Sequence, residues 1–361
     1  FSADGARLFT GDSDGRVLEW DAGMIHELPG HDERVRAMLL SPDEGTLVTA
    51  GFDKAIVVRD AETLQVRQKM ATEHQNSILN AGYSPDGATF ATIDAGGLLI
   101  LWNTATWEPR HVLRSEVQNQ LLGLAFTPDS RRVATGAFNG IVAVYDVATG
   151  EPVVEPFQAH SNGWAMSLIF SPDGQRFYSG SSSQTIRMWD ATTFTPIGEP
   201  MEGHTNWVTD LAFAPDGATL ISAGYDETIR TWDAATGEPI GEPFVGHGRP
   251  VWGVSYRTVD GSPALISVGA DGAIIWWDWE TRLPLGPPLR TGRESEWLRV
   301  SADGRRLLVS FMGPVVEVID IDFTPWLERS CAVANRNLTA TEWEEYLPSL
   351  PYRDTCFPTV E

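Results

Sequence analysis

The sequence predicts an all-β protein built from one four-stranded unit repeated along the chain. Three observations predict it. The first is a Ser/Thr/Ala–Pro/Ala–Asp turn at Ser2, Ser41, Ser84, Thr127, Ser171, Ala214 and Ser301, with a degraded copy near Arg257. Its successive spacings are 39, 43, 43, 44, 43, 43 and 44 residues, a period suited to four short strands. The second is the unit itself. In 203–233 three β-type runs, Val208–Phe213, Thr219–Ser222 and Thr228–Trp232, are separated by Pro215-Asp216-Gly217 and Tyr225-Asp226-Glu227, both of which are turn chemistry. The third is composition: 42% hydrophobic residues and 14 tryptophans supply a continuous core, with no apolar run near the 18 residues of a membrane span.

Units that open on Gly-His and close on Trp-Asp, as Gly203-His204 and Trp232-Asp233 do, resemble the WD-repeat (WD40) β-propeller family over residues 1 to about 323. The resemblance implies an inner strand a, middle strands b and c, and an outer strand d in each blade. In chain order, residues 1–21 hold only b- and c-type strands, the remnant of an upstream or incomplete blade. A short outer-type strand follows at Met24–Leu28. Complete units then run through Asp60, Asn103, Asp146, Asp190, Asp233 and Asp278, and a last unit at 297–320 lacks its outer strand. Lending Met24–Leu28 to that unit closes the ring and removes the exposed sheet edges. The expected fold is therefore a seven-bladed propeller over 22–322. An eight-bladed ring is the alternative, and it requires an inner strand before Phe1.

The remaining residues, 323–361, break the period and are expected to form a helical capping tail. Thr339-Ala340-Thr341-Glu342 before Trp343 is a capping box for a helix at about 340–347, and Pro325 suits the first turn of another at about 325–335. The tail wording, from Trp326-Leu327-Glu328 to Tyr352-Arg353-Asp354-Thr355-Cys356, resembles the C-terminal tail of large bacterial WD-repeat proteins. In those, propellers follow an ATPase, a protease or a DNA-binding regulator. That resemblance implies a fragment of a longer signalling or defence protein, with an effector domain upstream.

The formal net charge of −23 and the lack of a Lys/Arg cluster argue against nucleic acid as a partner. An acidic surface suits a basic one. Only Lys54 and Lys69 are lysines, a bias that suggests a GC-rich genome. Cys331 and Cys356 are the only cysteines, which is neither a disulfide framework nor a zinc pattern; reduced thiols in a cytoplasmic protein are expected.

His31, His74, His160, His204 and His247 each precede the Pro-Asp turn or its equivalent by 11 or 12 residues. The WD resemblance implies that such a histidine joins a buried network with a strand-b Ser/Thr, a b–c turn Asp and the strand-c Trp. The full set stands as His204, Ser222, Asp226, Trp232 and as His247, Ser267, Asp271, Trp277. The first unit has Arg59 in place of Trp, the second has Gly96 at the Asp position, and the fourth has Ser183 there. A Ser-His-Asp set that recurs in blade after blade is blade structure rather than a hydrolytic triad. The turn carboxylates Asp43, Asp86, Asp129, Asp173, Asp216 and Asp303 fit backbone capping rather than a calcium ladder. No phosphate loop is present, and neither metal nor cofactor is expected.

Candidate binding residues lie on the top face, where inner strands begin and b–c turns protrude. Eight and six residues before each Pro-Asp turn, and just before each b–c turn Asp, stand Arg34, Arg36, Phe52, Phe138, Trp164, Trp207, Tyr225 and Trp252, with Glu294 and Glu296 in the last unit. Between them, Val35, Ile78, Leu121, Ala165, Val208 and Val251 read as core by alternation. Aromatics and Arg in this arrangement suggest a face for a protein or peptide. The expected function is a non-catalytic recognition or scaffold module, the sensor of a larger protein. The alternative is a hydrolase- or lactonase-type propeller acting in the central channel.

Overall fold

The computed structural model describes residues 7–11, 17–21, 25–115, 119–259, 262–284, 288–290, 295–301, 306–311, 314 and 316–320. The chain divides into two compact units, Phe1–Ile319 and Asp320–Glu361. The two tail helices, Cys331 and Cys356 fall outside the described residues.

Seven antiparallel four-stranded sheets are found among the described residues, as the period predicts. Blades I to VI span 35–71, 78–114, 121–158, 165–201, 208–245 and 251–290. Blade V shows the plan: Val208–Phe213, Thr219–Gly224, Thr228–Asp233 and Phe244–Val245, paired in chain order. Blade VII joins Ser295–Val300, Arg306–Phe311 and Val316–Asp320 to Ile25–Glu27, which pairs as Ile25↔Ile319, His26↔Val318 and Glu27↔Glu317. An N-terminal strand thus completes the C-terminal sheet, and the count is seven. Arg7–Gly11 and Val17–Asp21 form a separate two-stranded sheet.

Each sheet is sandwiched between its neighbours, so its middle strands are buried on both faces and read as nearly unbroken apolar runs. Thr219–Gly224 is buried at every residue, as is Thr89–Asp94. Outer strands face solvent on the rim, and Val66–Ala71 is almost wholly exposed. The cores lie at the seams. One joins Ala37, Val48 and Ile56 of blade I to Ile78, Phe90 and Trp102 of blade II, and another joins Leu47 of blade I to Leu308 and Val318 of blade VII. Burial at the seams is what holds the ring, because each blade alone would leave both faces wet.

Strand a carries the same irregularity in all seven blades. Its register shifts at Val35/Ala37, Ile78/Asn80, Leu121/Gly123, Ala165/Ser167, Val208/Asp210, Val251/Gly253 and Ser295/Trp297. One residue is left over each time, which is a β-bulge, and a bulge re-aims the side chain it carries. The turn carboxylates bond their own turns. Asp86 accepts Ser84 Oγ–H at 2.6 Å and Ala88 N–H at 3.0 Å, and Asp173 accepts Ser171 Oγ–H at 2.6 Å.

Candidate functional site

The histidine networks are packed as the repeats imply. In blade V, Trp232 Nε1–H donates to Ser222 Oγ at 2.8 Å, Ser222 Oγ lies 2.7 Å from His204 Nε2, and His204 Nδ1 lies 2.9 Å from Asp226. With Nδ1–H given to the carboxylate, Nε2 accepts the serine proton, and each polar atom has a partner. Blade VI repeats the chain through Trp277, Ser267, His247 and Asp271 at 2.8, 2.7 and 3.1 Å. Burial raises the pKa of Asp226 and of Asp271, but the hydrogen bond from the facing histidine, with those from Thr205 and Thr228 on Asp226 and from Gly248 and Ala273 on Asp271, outweighs it and takes both carboxyls down to about 2. Ser222 and Ser267 are fully buried, so no substrate reaches either oxygen.

The three departures resolve differently. Arg59 is buried in place of the indole and donates to the carbonyls of Leu64, at 3.1 Å, and Pro29. In blade II the carboxylate comes from the end of strand b: Asp94 Oδ2 stands 3.1 Å from His74 Nδ1, and its other oxygen accepts Gly96 N–H and Leu98 N–H at 2.8 Å. Sequence spacing looked for it two residues later. In blade IV, Ser183 bonds Ser181 Oγ at 3.0 Å, and no carboxylate among the described residues meets His160. Burial, with the charge of Arg187 next, lowers the His160 pKa to about 4.

Five rings form one arc along the top face. Phe138 and Trp164 stack with centroids 4.0 Å apart, and Trp164 to Trp207, Trp207 to Tyr225 and Tyr225 to Trp252 follow at 4.8, 5.0 and 5.6 Å. The arc crosses blades III to VI and draws Phe138 and Tyr225 from b–c turns and Trp164, Trp207 and Trp252 from the start of strand a. Phe138 is exposed and the other four rings are half-buried. Backbone bonds set the spacing: Phe138 N–H donates to Gln120 O at 2.8 Å and Tyr225 N–H to Trp207 O at 2.8 Å, tying each turn to the preceding inner strand. Mutual ring packing fixes rotamers, so the surface is preorganised.

Arg34 and Phe52, in blade I, face each other as a cation–π pair at 5.2 Å. Arg36 behaves differently from the rest. It is the bulged residue of its strand and turns into a 320 Å³ cavity on the axis, which Leu79, Leu122, Met166, Thr209 and Trp252 also line. Plain alternation placed Arg36 and Trp252 on the top rim; the bulge carries them into the channel mouth instead, so Trp252 joins the arc to the channel. Burial, with the charge of Arg34 next, takes the Arg36 guanidinium down to about 10. Glu294 lies outside the described residues, and the same holds for the side chain of Glu296. The interstitial positions Val35, Ile78, Leu121, Ala165, Val208 and Val251 are fully buried.

Deeper in the cavity, Asp210 accepts Leu211 N–H at 2.9 Å and, across the seam, Val254 N–H at 3.1 Å. Burial raises its pKa, although Arg299 opposes the shift. Asn80 donates to Leu122 O at 2.9 Å in the same way. These axial polar groups clip neighbouring inner strands together. No group of three or more His, Cys, Asp or Glu among the described residues is placed to hold a metal ion.

The model of the family described as IFT122 first beta-propeller matches residues 1–278 of the chain. The chain belongs to that family. It is a WD40-type β-propeller, a class that serves in general as a protein-interaction scaffold. No curated protein matches it. No helix among the described residues is long and apolar enough to cross a membrane.

Proposed function

We propose that this WD40-type propeller is a non-catalytic recognition module that binds a protein or peptide on its top face. The observation that supports the reading is the arc Phe138–Trp164–Trp207–Tyr225–Trp252. Soluble proteins seldom leave contiguous aromatic surface half-covered unless a partner completes it, and tryptophan and tyrosine dominate the energetics of such contacts. The neighbouring turn positions mix the neutral polar side chains of Asn139, Asn162, Gln184 and Asn206 with the exposed charges of Glu227 and Arg249. The Arg34–Phe52 pair marks the opposite side of the same rim. The propeller would act as the sensor of a larger bacterial signalling or defence protein, a context that rests on the tail resemblance. Regulation would require the ligand to favour one conformation of that protein over another.

The test compares capture of binding proteins by the wild type and by a Trp207→Ala/Trp252→Ala variant, after both show the same thermal melt. The expected result is a partner held by the wild type and released by the variant. A partner retained equally by both moves the site off this face. Turnover of an ester or lactone, abolished by Asp210→Asn, would replace the reading with the hydrolytic one.

A further inference from the structure

In four of the five histidine networks a carboxylate gathers the same donors. In blade V, Asp226 accepts His204 Nδ1–H at 2.9 Å, Thr205 N–H at 2.8 Å, Thr228 N–H at 3.2 Å and Thr228 Oγ1–H at 2.8 Å. Blades I and VI repeat the three nitrogen donors. His31, Asp32 and Ala55 donate to Asp53 at 2.9, 3.2 and 3.2 Å, and His247, Gly248 and Ala273 donate to Asp271, each at 3.1 Å. In blade II the carboxylate is that of Asp94.

Blade IV keeps the donors and lacks the acceptor. Both positions that supply a carboxylate elsewhere are serines: Ser181 stands where blade II has Asp94, and Ser183 where blade V has Asp226. The counterparts of the donors are His160 Nδ1, Ser161 N and Thr185 N, with Thr185 Oγ1 3.2 Å from Ser183 Oγ. Neither amide meets an acceptor among the described residues. Ser179 Oγ takes the Trp189 indole N–H at 3.0 Å and gives its own proton to His160 Nε2, which leaves the histidine proton on Nδ1. That N–H has no acceptor among the described residues either, although His160 is only 3% exposed, and its Nδ1 keeps surface that a ligand can touch. A buried donor without a partner is costly and marks where one is missing. Ser161 and Gln184, on either side, are exposed, so the approach is from solvent. Arg187 lies close enough for its charge to lower the His160 pKa; it stands 5.9 Å from the Trp189 ring and forms no ion pair among the described residues.

We propose that blade IV binds a carboxylate supplied from outside the blade, by an acidic side chain of a partner protein or by a free small acid, at the place the Asp226 carboxylate takes in blade V. Three N–H donors that converge on one point beside an unpaired guanidinium suit a small planar anion with two acceptor oxygens. The site borders the aromatic arc, because Trp164 N–H donates to Ser182 Oγ at 2.8 Å in the same turn. It does not rest on the reading of that arc.

The probe is sodium acetate at constant ionic strength, with the isosteric, uncharged acetamide as control, followed by NMR of the histidine ring nitrogens in the whole chain. Acetate is expected to bind about tenfold more tightly than acetamide, to shift His160 Nδ1, and to raise the pH at which His160 titrates by about one unit. His204, whose Nδ1–H already goes to Asp226, is the control within the same spectra and should not respond. Ser183→Asp supplies the carboxylate in cis and should abolish the acetate response. If Ser183→Asp does not fold, Arg187→Gln decides; it should weaken acetate binding about threefold by removing the nearby positive charge. N-acetyl-aspartate methylamide separates the two sources: binding as tight as that of acetate assigns a partner's acidic side chain, and exclusion while acetate binds assigns a free acid. Trp207→Ala/Trp252→Ala should leave acetate binding unchanged. No response of His160 to acetate, an equal response to acetamide, an equal response of His204, or a full response in Ser183→Asp overturns the proposal.

Discussion

Ser183→Asp gives the sharpest test of how the histidine networks stabilise the ring. Ser183 stands four residues after the network serine Ser179, as Asp226 stands four after Ser222, and His160 already bonds Ser179 at 2.8 Å. What blade IV lacks is the carboxylate. The His160 pKa is about 4 in the folded protein against an ordinary 6.5. Between those values the unfolded chain binds the proton and the folded chain does not, so stability falls as pH drops from about 7 towards 4. At pH 5 the two values correspond to a loss of about 2 kcal/mol through proton linkage. A carboxylate at 183 would accept Nδ1–H, raise the His160 pKa towards or above its ordinary value and return most of that loss. The variant should therefore match the wild type within about 0.5 kcal/mol at pH 8 and exceed it by about 2 kcal/mol at pH 5. Urea unfolding across this pH range measures the difference, and an NMR titration of His160 measures its cause. A stability difference independent of pH, or a His160 that still titrates near 4 in the variant, would refute the reasoning.

Asp226→Asn should flatten the acid limb of the stability curve between pH 4 and 2, because Asp226, at about 2, contributes stability above its ordinary pKa that is lost as pH falls; acid unfolding followed by circular dichroism reads it. Trp232→Phe removes the indole donor to the buried Ser222 oxygen and should cost about 1–3 kcal/mol in urea unfolding. Gly140 has φ +79°, and a Cβ there would stand 1.9 Å from His160 O, so Gly140→Ala should cost about 2–4 kcal/mol by the same assay. Deleting Ile25–Glu27 uncovers the edge at Val316–Asp320, and light scattering should show self-association below the wild-type melting temperature.

The amino-acid sequence alone determined the repeat, and with it the fold. A constant period of turn residues fixes strand length and order. The missing outer strand at the C-terminal end and the spare one near Met24 fix the closure and the count of seven. The Trp–Ser–His–Asp sets of blades V and VI were legible too, because each network lies inside one repeat and recurs with it. The tertiary structure decided what depends on stacking one repeat against the next. The bulge in strand a changes which way Arg36 and Trp252 point, and a residue count cannot show a change of parity. Asp94 replaces the expected turn carboxylate in blade II because two positions near one histidine can both reach its Nδ1. The continuity of the aromatic arc depends on Phe138 meeting Trp164, Trp164 meeting Trp207 and Tyr225 meeting Trp252, pairs from neighbouring blades that meet only across seams. Sequence periodicity specifies a blade. The contacts between blades arise only when the ring packs, and the aromatic arc of this protein lies there.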